Sequence, residues 1–206
     1  MIPKAAWDEK VGVFCQVERE GAWRLDVIEY SDMPAQLAKA TNPDGTLKFA
    51  AGSIAIHIIS VEFLGRLATD PRFSLPFHRA EKKIPHVDPA TGAAVSPAAN
   101  NGVKLERFIF DALAMARASI VYETDRVEEF APIKNATGVD SVESSQKLQT
   151  TRAARWLERC GTAVPKDAKG EPDCVIELSP LTAACIDDVA CVRMPKAIAA
   201  GDSVVL

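Results

Sequence analysis

The chain begins with two apolar stretches rich in strand-forming residues, 11 to 17 and 23 to 30, separated by Glu20-Gly21. They predict a β-hairpin. Residues 33 to 41 read as a short helix with Ser31 or Asp32 as its N-cap, and Asn42-Pro43-Asp44-Gly45 as a turn. Residues 53 to 60 form a continuous apolar run broken only by His57. Such a run predicts a strand covered on both faces, with His57 a hydrogen-bonded core histidine or, less simply, a ligand. Val61, Leu64, Gly65 and Ala68 fall at helical spacing and predict a helix over 61–68. Five prolines make residues 70 to 102 loop-rich, and Thr91-Gly92 suggests a small hairpin over 84–95. Leu105, Phe108, Ile109, Ala112, Leu113 and Ala116 predict a helix over 105–118. Phe110 lies off that stripe, so it must pack on another segment, a partner or a ligand. Ile120-Val121-Tyr122 reads as a strand. Residues 144 to 160 predict a second helix, with Ala153, Trp156, Leu157 and Cys160 on its apolar face and Gly161 as its stop. Arg152, Arg155 and Arg159 form a basic ridge on it, either solvated or set for a phosphate. Short strands are expected over 174–181, around Met194 and over 203–206. The whole predicts an α/β fold with a small β-rich C-terminal appendage.

Composition narrows the classes of function. The 206 residues carry a net charge of −4, which favours neither nucleic acid nor an anionic membrane. No apolar run approaches the ~20 residues of a membrane span, and residues 1 to 8 have no apolar core of the signal-peptide kind. Cys15, Cys160, Cys174, Cys185 and Cys191 are odd in number and include no C-x-x-C pair. They read as buried reduced thiols of a cytoplasmic protein rather than a disulfide framework or zinc site. His57, His78 and His86 are scattered, so no metal site is expected.

The stretch with the most chemical content is Glu128-Glu129-Phe130-Ala131-Pro132-Ile133-Lys134-Asn135. Proline fixes its own φ and stiffens the backbone entering Lys134. A lysine so held can meet a phosphate at a fixed place, although a solvated loop lysine has the same pattern. This stretch resembles the F-[SA]-P-[LI]-K-N motif of the eukaryotic-type UDP-sugar pyrophosphorylases. Six further stretches resemble that family in order: Val11 to Val17, Val27 to Ser31, Ala51 to Ile54, Glu81 to Asp88, Gly102 to Asp111 and Ile176 to Leu181. The family's Gly-rich G-x-G-T-R-x-G loop occurs nowhere in the chain, which therefore resembles the C-terminal half of such an enzyme.

The resemblance implies a partial Rossmann-like nucleotidyltransferase domain with a mixed sheet over residues 1–160, and an appendage over 161–206. It implies uridylyl transfer between UTP and a sugar 1-phosphate, with Mg²⁺ as cofactor and its ligands outside this chain. The missing N-terminal half would be a partner, supplied in the same chain or another. By the same resemblance Lys134 is catalytic. Gly12, Glu29, Ser53, Phe108 and Phe110 would bind the sugar: glycine by close backbone approach, the carboxylate by accepting hydroxyl hydrogen bonds, and the rings by packing on a sugar C–H face. From the residues alone, Gly12 could equally mark a strand bulge and Glu29 an exposed strand carboxylate. Two positions depart from the family pattern: Ser53 stands where asparagine is usual, and His86 where tyrosine is frequent. A non-catalytic sugar-phosphate-binding module derived from such an enzyme fits the same residues.

Overall fold

Four short strands make an antiparallel sheet in the order β1-β4-β2-β3: β1 (Ile2–Pro3), β2 (Gly12–Arg19), β3 (Ala22–Ile28) and β4 (Ala51–Ser53). The computed structural model describes residues 1–19 and 21–206; Glu20, in the expected hairpin turn, lies outside the described residues. The hairpin itself forms, from Val13 opposite Ile28 to Arg19 opposite Ala22. Val13 and Cys15 point to one side of it and bury themselves with Met33, against Val17, Ile28, Ala38 and Phe49. Helix α1 is a single turn, Ala35–Ala38, and Pro34 rather than Ser31 or Asp32 is its N-cap.

The apolar run after Gly52 does not become a doubly covered strand. Only Ala51–Ser53 finds ladder partners, and Ala55 then adopts φ +60, turning the chain off the sheet. The residues beyond have no strand beside them: Ile58 is 101% exposed and Ile56 62%. His57 is half-buried, and its Nε2, shielded from solvent, meets no hydrogen-bond partner. This is not the satisfied core histidine expected. Helix α2 (Val61–Thr69) forms as predicted, capped by the Ser60 hydroxyl accepting from the Phe63 N–H. Its expected apolar stripe, however, faces outward, and only Leu67 is buried.

Strand β5 (His78–Lys82) pairs antiparallel with β8 (Gly102–Glu106), and β6 (His86–Val87) with β7 (Ala94–Val95), the latter being the expected small hairpin. The β5–β8 ladder displaces the helix predicted over 105–118. Leu105 and Glu106 are taken by cross-strand pairing, Phe108 stays extended, and only a 3-10 helix, Ile109–Met115, follows. Residues 120 to 122 form no strand, although the Met1 ammonium donates to the Tyr122 carbonyl.

Met1–Glu123 and Thr124–Leu206 are the two compact units of the chain. In the second, α3 (Arg126–Glu129) precedes the long helix α4 (Val142–Arg159). A reciprocal box starts α4: Ser141 Oγ accepts from the Ser144 N–H, and Ser144 Oγ from the Ser141 N–H. Gly161 ends it at φ +92, a left-handed conformation in which a side chain would be strained. Parallel strands β9 (Val175–Glu177) and β10 (Ser203–Val205) and helix α5 (Ile186–Cys191) complete the unit. The segment around Met194 is irregular. Ala153, Trp156 and Leu157 of α4 form one core with Ile176, Ala183, Val189 and Ile198. Cys160, expected on that face, is exposed, as are Cys185 and Cys191. Cys15 is buried, and desolvation, aided by the nearby Asp26 charge, raises its pKa. The architecture is a mixed α/β fold with small sheets. Among the described residues no helix is long and apolar enough to cross a membrane.

Candidate functional site

Three of the residues singled out from the sequence meet at one end of the hairpin. Gly12 opens β2 and is the cross-strand partner of Ser53 in β4. Glu29 follows β3, and its carboxylate lies over Gly12: a Cβ there would stand 3.0 Å from Glu29 Oε1 and 2.8 Å from Val27 Cγ1. A side chain at position 12 would crowd the tips of Val27 and Glu29, and glycine allows the β2 backbone its close approach to this carboxylate. Ser53 Oγ accepts from the Ala55 N–H at 3.4 Å, a local turn contact that leaves its O–H able to donate. The cluster thus brings a carboxylate acceptor and a hydroxyl, both half-buried, beside the buried Gly12 main chain.

Phe108 and Phe110 form a second group. Their rings stack with centroids 4.7 Å apart and 13° between planes. Phe110 is only 6% exposed, while Phe108 is half-buried, so solvent reaches the pair chiefly at Phe108. The ring of His78 lies 4.8 Å from Phe108. His78 Nε2 is 2.9 Å from Asp111 Oδ2 and its Nδ1 3.3 Å from Asp32 Oδ2. Burial depresses the His78 pKa, but hydrogen bonds to Asp111 and Asp32, and then their charges, outweigh it; the net shift is upward. Sequence reading passed over His78 and Asp111. Their partners lie 33 and 46 residues apart along the chain, so no local pattern marks them.

Lys134 belongs to the second unit, and its loop is fixed from several sides. The N–H groups of Lys134 and Asn135 both donate to the Asp140 carbonyl, at 2.7 and 2.9 Å, and Asn135 Nδ2 donates to the Val139 carbonyl. Upstream, Ser145 Oγ donates to the Ala131 carbonyl at 2.9 Å. Glu128 accepts from Trp156 Nε1 at 2.8 Å, and Asp125 pairs with Arg155. The loop therefore leans on α4 through α3 and Ala131. Lys134 is exposed, with Nζ 6.0 Å from the Phe130 ring centroid. Part of the basic ridge is engaged within the unit: Arg155 with Asp125 and Glu128, and Arg152 over the Trp156 ring.

Among the described residues no three His, Cys, Asp or Glu side chains come together to hold a metal. Asp32 and Asp111 approach opposite nitrogens of one imidazole and are separated by it.

No protein-family model matches the chain. Single proteins do. It is 40% identical to the UDP-N-acetylglucosamine pyrophosphorylase of Saccharomyces cerevisiae over 145 residues, 68% of this chain and 30% of the yeast protein. It is 34% identical to UDP-N-acetylhexosamine pyrophosphorylase-like protein 1 of Xenopus tropicalis over 195 residues, 88% of this chain and 37% of that protein. The whole chain superposes, at TM-score 0.69 and 27% identity, on 47% of a crystal structure assigned as a UDP-N-acetylglucosamine pyrophosphorylase of Entamoeba histolytica. This chain accordingly spans about a third of the length of the curated relatives it matches. Sequence and fold agree: the chain belongs to the UDP-sugar pyrophosphorylase family of nucleotidyltransferases and represents part of its members' length.

Proposed function

We propose that this chain is the sugar-side part of a UTP:sugar-1-phosphate uridylyltransferase of Rossmann-like fold, acting in the cytoplasm on an N-acetylhexosamine 1-phosphate. The reaction joins a phosphate oxygen of the sugar phosphate to the α-phosphorus of UTP and expels pyrophosphate. The observation that carries the reading is the packing of Glu29 over Gly12 beside Ser53, within a chain homologous to proteins named for this activity. In it Glu29 accepts from sugar hydroxyls, Ser53 donates, and Phe108 supplies an apolar surface with Phe110 beneath. Lys134 neutralises charge that develops on phosphate, and its anchored loop spares reorganisation as that charge forms. The chain alone turns over no UTP, because the Gly-rich loop that cradles the triphosphate in the family is not among its residues. Any Mg²⁺ is held by residues outside it.

The test is steady-state kinetics on the full polypeptide, or on this chain combined with one that carries the Gly-rich loop. Lys134→Ala should lower kcat on the order of 10²-fold, with a smaller change in sugar-phosphate affinity. Lys134→Arg should rescue poorly, since a planar fork does not replace a compact ammonium. Lys147, ion-paired with Glu171, is the control, and its alanine variant should keep its rate. Near-normal kcat in Lys134→Ala would remove the lysine from the chemistry. A non-catalytic sugar-phosphate-binding role is the second reading, and it fits the same residues at Glu29, Ser53 and Phe108. It predicts sugar-phosphate binding without any turnover even when a chain with the loop is supplied.

A further inference from the structure

Between the polar group at Glu29 and the aromatic pair stands a residue that belongs to neither. His78 begins β5, a strand of the separate β5–β8 ladder. One ring nitrogen faces Asp32, in the turn whose Asp32 and Met33 N–H groups both donate to the Glu29 carbonyl, at 2.9 and 3.0 Å. The other faces Asp111, in the 3-10 helix that carries Phe110, and the Asp111 N–H donates to the Phe108 carbonyl. The same ring lies against Phe108 at 4.8 Å, tilted by 59°, with Phe110 edge-on at 6.2 Å. Contacts from one imidazole thus join its own strand to two segments, 29–33 and 108–111, that are distant from it and from each other in sequence. We propose that His78 is a positioning residue: its ring ties the turn that presents Glu29 to the Phe108–Phe110 pair, and so sets the spacing between the polar and apolar walls of the sugar site. The assignment of that site rests on the function proposed above; the tie itself does not.

Doubly protonated imidazole donates from both nitrogens and so satisfies both carboxylates at once, while the neutral ring can donate to only one. A further charged group near the ring is Glu106, at the end of β8, whose pKa is lowered chiefly by its hydrogen bond to Lys104 and least by the His78 charge. The imidazolium is therefore held among carboxylates from the turn, the 3-10 helix and β8. Loss of the proton should slacken the tie rather than abolish it, because the contact with Phe108 remains.

Imidazole NMR on the full 206-residue chain tests the tie without any ligand. His78 should titrate above an ordinary histidine, and Asp111→Asn, which keeps the shape but removes the charge, should bring it down. Amide exchange gives the mechanical readout. His78→Ala should speed exchange at Asp32, Met33 and Asp111 together, on the order of tenfold, and leave α4 unchanged. Ordinary titration, or exchange unchanged at those three amides, overturns the proposal; if His78→Ala fails to fold, the titration of Asp111→Asn decides alone. Calorimetry with N-acetylglucosamine 1-phosphate then reads the consequence. Affinity in the parent chain should weaken as pH rises through the His78 titration, and His78→Ala should bind on the order of tenfold more weakly with that pH dependence gone. Unchanged affinity in His78→Ala, with exchange raised, removes the positioning role. A parent chain that binds no sugar phosphate refutes the sugar-side reading, and the titration and exchange still judge the tie.

Discussion

The two compact units solve the burial problem differently. Thr124–Leu206 wraps one capped helix: α4 gives Ala153, Ala154, Trp156 and Leu157 to a core closed by residues from β9, α5 and the final segments. Thr150, one of its buried polar residues, is served there, since its Oγ1 accepts from the Ile176 N–H and lies 3.5 Å from the Ile176 carbonyl. Met1–Glu123 is longer but has a small core around Val13, Cys15 and Met33, and it leaves Ile56, Ile58, Val61, Ile120 and Tyr122 in solvent. Exposed apolar residues are ordinary singly, but a run of them argues for a cover. The second unit builds the larger core, although it too exposes Leu181, Val139 and Val205, while the first leaves more apolar residues in solvent. That surface is also where sequence reading failed most, because a strand or stripe is read on the assumption that something will cover it.

The largest effect expected from this contrast is at Leu157, which is 0% exposed. Leu157→Ala should destabilise the second unit by about 2–5 kcal/mol. Urea unfolding followed by fluorescence of the buried Trp156 measures it; the amides of β2 and β3 should keep their exchange rates, and parallel loss there would break the comparison. Next, Ser141→Ala should cost about 1 kcal/mol by removing half of the α4 box, seen in the same Trp156 transition.

A smaller effect is set by pH. The folded pKa of His78 lies above its unfolded value near 6.5, so its contribution to the first unit is complete below that value and fades as pH rises through the folded pKa. The melting temperature of the first unit should fall across that window, and His78→Ala should flatten the fall. The smallest change in stability, within about 0.5 kcal/mol, belongs to Ile58→Ser. Its signature is elsewhere: sedimentation should show the parent chain self-associating and the variant less so. A parent chain that sediments as a clean monomer would show that its apolar surface needs no cover.

What the sequence disclosed follows how local each signal is. Helix α4 was legible because its stripe and stop are written within one segment, while its start at Ser141 was not read. The hairpin β2–β3 was legible for the same reason. The stretch after Leu105 was not, because its ladder partner Arg79 lies in a region read as loop. Resemblance, not periodicity, pointed to Gly12, Glu29 and Ser53, and the sheet register then brings them together. His78 had no such signal, since its meaning arises only when Asp32 and Asp111 close on it.

The carbonyl that receives Lys134 and Asn135 belongs to Asp140, a residue at φ +56. This makes position 140 a point where tolerance to substitution should follow backbone shape rather than side-chain charge. Asparagine and glycine, which enter the left-handed region readily, should serve there as well as aspartate, while valine or isoleucine should not. Variation in this loop would then look paradoxical by chemical class. Loss of a negative charge would be silent, and an uncharged branched residue would displace the lysine without touching it.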